Sequence, residues 1–295
     1  MLNKSFYKCF SVFLSLSFMS FNSMSQDLRN MPPTPPQALI HLMNIVTGEE
    51  KQWTWEEMNV IAQRDFLRPK GKERWEIVLN PAYESKKEVL MPLLKELGLL
   101  DEVLPTQKNY DYIVVNGATV SRMRARLEWL QKQWAGGVRA KKVLFFIGER
   151  PLDPRIEGDR VLYPNGIPSS NQRPKTEAEA APILWDQVVT LPQLKSMPVE
   201  YVVASMIKDP VTKKESRPNT IETIQAWLLL KQKPGTILSI SNNPYIPYQH
   251  RVFVKAFEHD PDFTIETVGP AAGDDSITNH LDNIALCIYT QVKGA

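Results

Sequence analysis

Five short apolar runs punctuate the second half of the chain: YDYIVV (110–115), KVLFFI (142–147), EYVVAS (200–205), GTILSIS (235–241) and FTIETV (263–268). All are rich in Val, Ile and aromatic residues, the composition of buried strands. Helical periodicity fills the intervals, in SRMRARLEWLQKQW (121–134), TEAEAAPILWDQVV (176–189), NTIETIQAWLLLKQ (219–232) and PYQHRVFVKAFEH (247–259), and SITNHLDNIALCIYTQV (276–292) closes the chain. Strand and helix alternating in this way predict βαβ units, because a parallel strand pair needs a crossover long enough to hold a helix. The expected fold over residues 109–295 is therefore a three-layer, doubly wound α/β domain with about five parallel strands.

Upstream the pattern is helical only. QALIHLMNIV (37–46), TWEEMNVIAQRDFL (54–67) and SKKEVLMPLLKELGLL (85–100) predict an N-terminal helical layer or subdomain over residues 37–108, the last with Val89, Leu93, Leu94 and Leu97 on one stripe. A proline-rich stretch, 26–36, reads as a linker.

In a parallel sheet all carboxyl ends lie on one edge, where ligands bind. The ends here are small or polar: Asn116-Gly117-Ala118-Thr119, Gly148-Glu149-Arg150, Ser205, Ser241-Asn242-Asn243 and Gly269. Gly117 leaves the backbone open to close approach. The helix that follows offers free N–H groups to an anion, and Arg122, rather than Arg124 or Arg126, is the candidate to add a guanidinium fork. Arg124 is expected to pair with Glu128 one turn on. The tip lacks GxGxxG and the Walker pattern, so a dinucleotide or P-loop site is not predicted and no cofactor is specified. The long segment 149–175 brings Arg150 to the same edge.

Thr176-x-x-Glu179 reads as a capping box, which accounts for Glu179 and leaves Glu177 as the candidate acid or base. Asn219-x-x-Glu222 resembles a second cap, with Thr220 in the first turn and Arg217 just before it. After the fourth strand, Asn242 and Asn243 lead to His250 and Arg251; the histidine can trade protons near neutral pH. Adjacent helical residues point about 100° apart, so at most one of the pair is expected to face the edge. No histidine has ligand-like spacing with another, no metal site is predicted, and no G-x-S-x-G elbow marks a serine nucleophile.

Charge narrows the function classes. With 35 Lys+Arg against 33 Asp+Glu the formal charge is +2, and removing residues 1–25 takes two lysines and no acid, bringing it to zero. A neutral body lacks the basic surplus of a nucleic-acid binder. Residues 1–25 themselves have the order of a secretory signal: the basic MLNKSFYK, the apolar CFSVFLSLSFMSF, then Ser23 and Ser25 at the small-residue positions. The expected location is periplasmic or secreted, without a membrane span in the mature chain; the alternative is an uncleaved N-terminal anchor. Cleavage would leave Cys287 as the sole cysteine, which excludes an internal disulfide.

Taken together, VVNGATVSR (Gly117, Arg122), FFIGERP (Gly148), TEAEA (Glu177), RPNTIET (Asn219, Thr220) and SISNNPYIPYQHR (His250, Arg251) resemble the motifs of the YdcF-like family, which includes envelope proteins of the SanA and ElyC type. The resemblance covers roughly residues 109–260 and has no counterpart for 30–105. It implies a Rossmann-like fold and, for exported members, a link to the bacterial cell envelope. The function expected is a cleft for a small anion, a phosphorylated or sugar-linked envelope precursor, held by backbone N–H groups at 117–120 with Arg122 and Arg217 or Arg251, and in a hydrolase or transferase served by Glu177 or His250. The alternatives are a non-catalytic module for a nucleotide- or S-adenosylmethionine-like ligand, and a scaffold docking a partner through its helical part.

Overall fold

The structure, a computed structural model, describes residues 27–30, 32–166, 173–208, 210, 215–216 and 218–294. The signal-like segment 1–25 and Arg217 lie outside the described residues.

The five apolar runs form β1 (Asn109–Asn116), β2 (Arg139–Gly148), β3 (Val199–Ala204), β4 (Thr236–Ile240) and β5 (Thr264–Val268). They make one all-parallel sheet in the order β3-β2-β1-β4-β5. After the N-terminal helices α1 (Gln37–Thr47), α2 (Trp55–Ile61) and α3 (Lys87–Glu96), the sheet helices are α4 (Val120–Ala135), α5 (Glu177–Val188), α6 (Thr220–Leu228) and α7 (Ile246–Ala256), with α8 (Ile277–Lys293) last. The fold is the expected three-layer, Rossmann-like arrangement.

Two-residue periodicity divides β1 between two cores. Ile113 and Val115 join Val143, Phe145 and Ile147 under α4 and α5. Tyr112 and Val114 join Leu144 and Phe146 on the opposite face, under α6 and α7, in a cluster dominated by Trp227, Phe253, Phe257 and Phe263. Helices change face between β3 and β4, so the strand order reverses between β1 and β4, and a crevice opens there at the carboxyl edge.

The N-terminal helices have a third core, and they share it with the far end of the chain. Leu39, Leu42, Met43, Met58, Leu90, Leu94 and Leu97 pack with Ile277, Leu281, Ile284 and Ile288 of α8. Val89, expected on this stripe, is exposed; Leu90 takes its place, one residue on, beside Leu94 and Leu97. A π-helical turn, Ala62–Phe66, continues α2, and Pro69 prevents further helix. The chain then runs from Leu67 to Leu79 without regular structure apart from one 3-10 turn, Arg74–Glu76, and this segment reaches the carboxyl edge of the sheet. Among the described residues no helix is long and apolar enough to cross a membrane.

Candidate functional site

The strand-tip glycines serve an internal carboxylate. Glu177, the first residue of α5, is buried, and its Oε1 lies 2.0 Å from where a Cβ on Gly117 would be. Only glycine leaves that space. Glu177 Oε1 also accepts the Gly148 N–H at 3.3 Å, and Oε2 accepts Arg150 Nε at 3.1 Å. Gly117 N–H is committed to the Phe146 carbonyl at 2.7 Å. At the start of α4, the Val120 N–H is taken by Glu157 Oε1 at 3.0 Å. The anion cradle expected from backbone N–H groups at 117–120 is thus occupied at both of these positions by the protein's own groups. Burying two carboxylates demands partners, and the sequence supplies them locally.

Arg150 ties both acids together. Its Nη1 and Nη2 fork onto Glu157 at 2.7 and 2.8 Å, its Nε reaches Glu177, and its remaining donors go to the Pro151 and Ala118 carbonyls. Burial disfavours charge on all three groups. For Arg150 the bonds and charges of Glu157 and Glu177 outweigh burial and raise its pKa. For Glu157 burial is likewise outweighed, by Arg150 and by the Asp153 and Val120 N–H groups, and its carboxyl is held below the usual range. Arg150 therefore binds the loop to the sheet edge, with Trp75 at 5.2 Å over its guanidinium.

Arg126 fills the switch-point crevice. Its guanidinium donates to the Asn116 and Gly117 carbonyls at 2.6 and 3.1 Å, to Asn242 Oδ1 through Nε and Nη2 at 3.2 and 2.8 Å, and to Ser241 Oγ at 3.5 Å. These bonds join the ends of β1 and β4 where the helices part. Every acceptor is neutral; among the described residues no carboxylate bonds to Arg126. Burial, and then the positive charge of Arg122, bring its pKa down to about 9, with Arg74 adding to the effect.

Outside the crevice lies a cleft of about 450 Å³. Gly117, Ala118, Thr119, Gly148, Arg150 and Glu177 line it at the sheet edge, with Arg122 and Arg126 from α4 and Asn219 and Thr220 from the start of α6. Arg122 bonds Asp275 at 2.8 Å and stacks 4.5 Å from the ring centre of Tyr245. Burial opposes its charge, but Tyr245 and Asp275 outweigh that and raise its pKa. Asn219 and Glu222 form the expected reciprocal cap of α6, at 3.1 and 2.6 Å. The box at α5 closes only halfway: Thr176 caps the Glu179 N–H, but Glu179 reaches the Lys175 N–H instead of that of Thr176.

The other candidates lie elsewhere. The Asn116 side chain bonds Ser239 Oγ and the Ile240 carbonyl, stitching β1 to β4. Asn242 holds Arg126, and Asn243 holds the Asp101 carbonyl at 2.6 Å. His250, expected as an acid or base, turns to Thr267 on β5 at 3.2 Å, with its pKa lowered first by burial and then by Arg29. Arg251 bonds Thr290 and Gln291 of α8, and burial lowers its pKa too. Neither lines the cleft. Tyr248, Gln249 and Val252 are the α7 residues that do, and at about 100° per residue positions 250 and 251 are carried past that face. Arg124 bonds Gln187 Oε1 and the Val161 and Leu162 carbonyls rather than Glu128.

Sequence reasoning missed the opposite wall. Arg68, Glu73, Arg74 and Trp75 enter the cleft from the 67–79 segment. Asp282 of α8, with no exposed side-chain surface, pairs with Arg68 Nη1 and lies 3.7 Å from Arg74 Nε. It also accepts the Arg68 N–H at 3.0 Å, while Trp75 Nε1 bonds Asp153 at 3.0 Å. Arg74 stacks 4.4 Å from the centre of the Tyr245 ring that Arg122 also covers. The signal was present as RPKGKERW (68–75), a cationic, aromatic, glycine-bearing stretch between helices. No protein-family model matches the chain, and no curated protein matches it in sequence.

Proposed function

We propose that this cleft binds a small organic anion, with Arg122 and Arg74 as its direct donors and Arg126 as a fixed charge beneath them. The observation that carries the reading is Arg126: a buried guanidinium whose acceptors among the described residues are all neutral oxygens, at the floor of a cleft that other arginines line. In a low-dielectric setting such a charge attracts an anion more strongly than it would in water. The walls are mixed, with Phe146, Ile147, Ile221, Val252 and Leu286 beside the polar groups, so an acidic group on a larger organic body fits better than a bare ion. The phosphorylated or sugar-linked envelope precursors suggested by the YdcF-like motifs, met by an exported chain, have that composition.

Of the two acid–base candidates only Glu177 lines the cleft, so proton transfer in a hydrolase or transferase reaction falls to it. Calorimetric titration of sugar phosphates, nucleotides and envelope precursors tests the proposal. Arg122→Ala is expected to weaken binding about tenfold, the scale of one charge-assisted contact, and to lower the thermal transition as well, because the nearly buried Asp275 loses its partner; affinities are therefore compared well below that transition. Equal affinity for the variant and the unaltered chain would refute the assignment.

A further inference from the structure

We infer that Arg74 and Arg122, each stacked on the ring of Tyr245 and lining one cleft with the buried Arg126, form a subsite for a phosphomonoester dianion, and that Arg74 sets the preference for two negative charges over one. The inference rests on the anion-binding reading and goes further, by naming the charge of the ligand and assigning a specificity residue to the N-terminal segment. Its first support is geometric. The two guanidiniums lie 4.4 and 4.5 Å from the centre of one aromatic ring, although they come from positions 74 and 122. Tyr245 is itself buried and its hydroxyl bonds Asp275 at 3.4 Å, so the platform that orients both arginines is fixed.

Charge supplies the second support. Among the described residues four cleft-lining guanidiniums, of Arg68, Arg74, Arg122 and Arg126, belong to this end; Asp282 pairs with Arg68 and Arg74, and Asp275 pairs with Arg122. Glu73, a third carboxylate, lines the same wall, and its N–H is accepted by Glu76 Oε2 at 3.0 Å. Arg150, Glu157 and Glu177 form a separate network. A planar guanidinium matches two oxygens of a phosphoryl group at once, and two forks can divide its oxygens between them. A phosphomonoester is mostly dianionic near pH 7, since its second ionisation falls at about pH 6. A sulfate ester has the same shape and carries one charge.

Arg74 is the discriminating group because of how it is delivered. Arg122 and Arg126 are fixed on α4 whatever else binds, whereas Arg74 arrives on a segment held to the body by Asp282 and by the Trp75–Asp153 bond. Its charge is the increment that a second negative charge meets.

Calorimetry with 4-nitrophenyl phosphate and 4-nitrophenyl sulfate on the full chain tests this directly. The phosphate ester is expected to bind at least about tenfold tighter than the sulfate ester. Arg74→Gln should cut that preference to about threefold or less, mostly by weakening the phosphate ester, and Arg74→Lys should retain most of it because the charge remains. Equal binding of the two esters to the unaltered chain would overturn the inference and leave the anion cleft standing. Equal losses for both esters in Arg74→Gln would reduce Arg74 to a structural part of the wall. Failure of both esters to bind at millimolar concentration would remove the anion-binding reading as well.

Discussion

Gly117→Ala probes the contact on which the sheet edge is built. The added Cβ would lie 2.0 Å from Glu177 Oε1 and 3.0 Å from the Phe146 carbonyl oxygen, whereas ordinary contact begins at 3.4 Å. The carboxylate must therefore retreat by about 1.4 Å. It cannot do so and keep both the Gly148 N–H at 3.3 Å and Arg150 Nε at 3.1 Å. Losing one hydrogen bond to a buried charge costs about 1.5–3 kcal/mol. The Phe146 oxygen is backbone and has no rotamer to escape to, so crowding there adds about 1–3 kcal/mol. The expected total is about 4 kcal/mol, measured as the loss of unfolding free energy in urea. In a Glu177→Ala background the first contribution disappears and Gly117→Ala should cost only about 2 kcal/mol. The double-mutant cycle should thus show a coupling of about 2 kcal/mol, well outside the roughly 0.5 kcal/mol scatter of independent sites. Additive effects, or a single-mutant cost below about 1 kcal/mol, would show that the glycine is not there to admit Glu177.

Two further outcomes follow from buried charges. Asp282→Asn removes the ion-pair partner of Arg68 from a site with no exposed side-chain surface and should destabilise the chain by about 3 kcal/mol. It should also speed tryptic cleavage at Lys70 or Lys72 in the segment it anchors, and unchanged cleavage would argue against that anchoring. His280 is buried, and burial lowers its pKa from 6.5 to about 4, so the unfolded chain takes up a proton that the folded chain refuses. Its contribution is complete above pH 6.5 and is lost as pH falls toward 4, amounting to about 2 kcal/mol by pH 5. Comparing His280→Leu with the unaltered chain at about pH 7.5 and 5 checks this; equal losses would refute it.

The positions of the arginines show how far local pattern reaches. Helical geometry places residues four apart on one face and a residue two along on nearly the opposite one. Arg122 and Arg126 accordingly line the cleft while Arg124 bonds the loop near Leu162. That pairing is legible in SRMRARLEWL, although the first turn alone points to Arg122. His250 and Arg251 were legible only as a pair of which one at most could face the edge. Which face of α7 meets the cleft depends on how that helix seats on β4 and β5, and the seating carried both residues away.

Alternating apolar runs and helical stripes were enough to determine a parallel sheet with helices on both faces, because hydrogen bonding along a strand and burial along a helix are local requirements. Parallelism then placed every strand tip, and with them Gly117, Gly148 and Glu177, on one edge. Only the folded chain decided what those tips hold and what stands opposite. The glycine space admits Glu177 rather than a ligand, and Arg68 and Arg74 reach the cleft because α8 buries its apolar face among the N-terminal helices and offers Asp282 to them. A contact spanning 214 residues leaves no periodicity in the sequence. It exists because two apolar surfaces, each unable to remain in water, found one another.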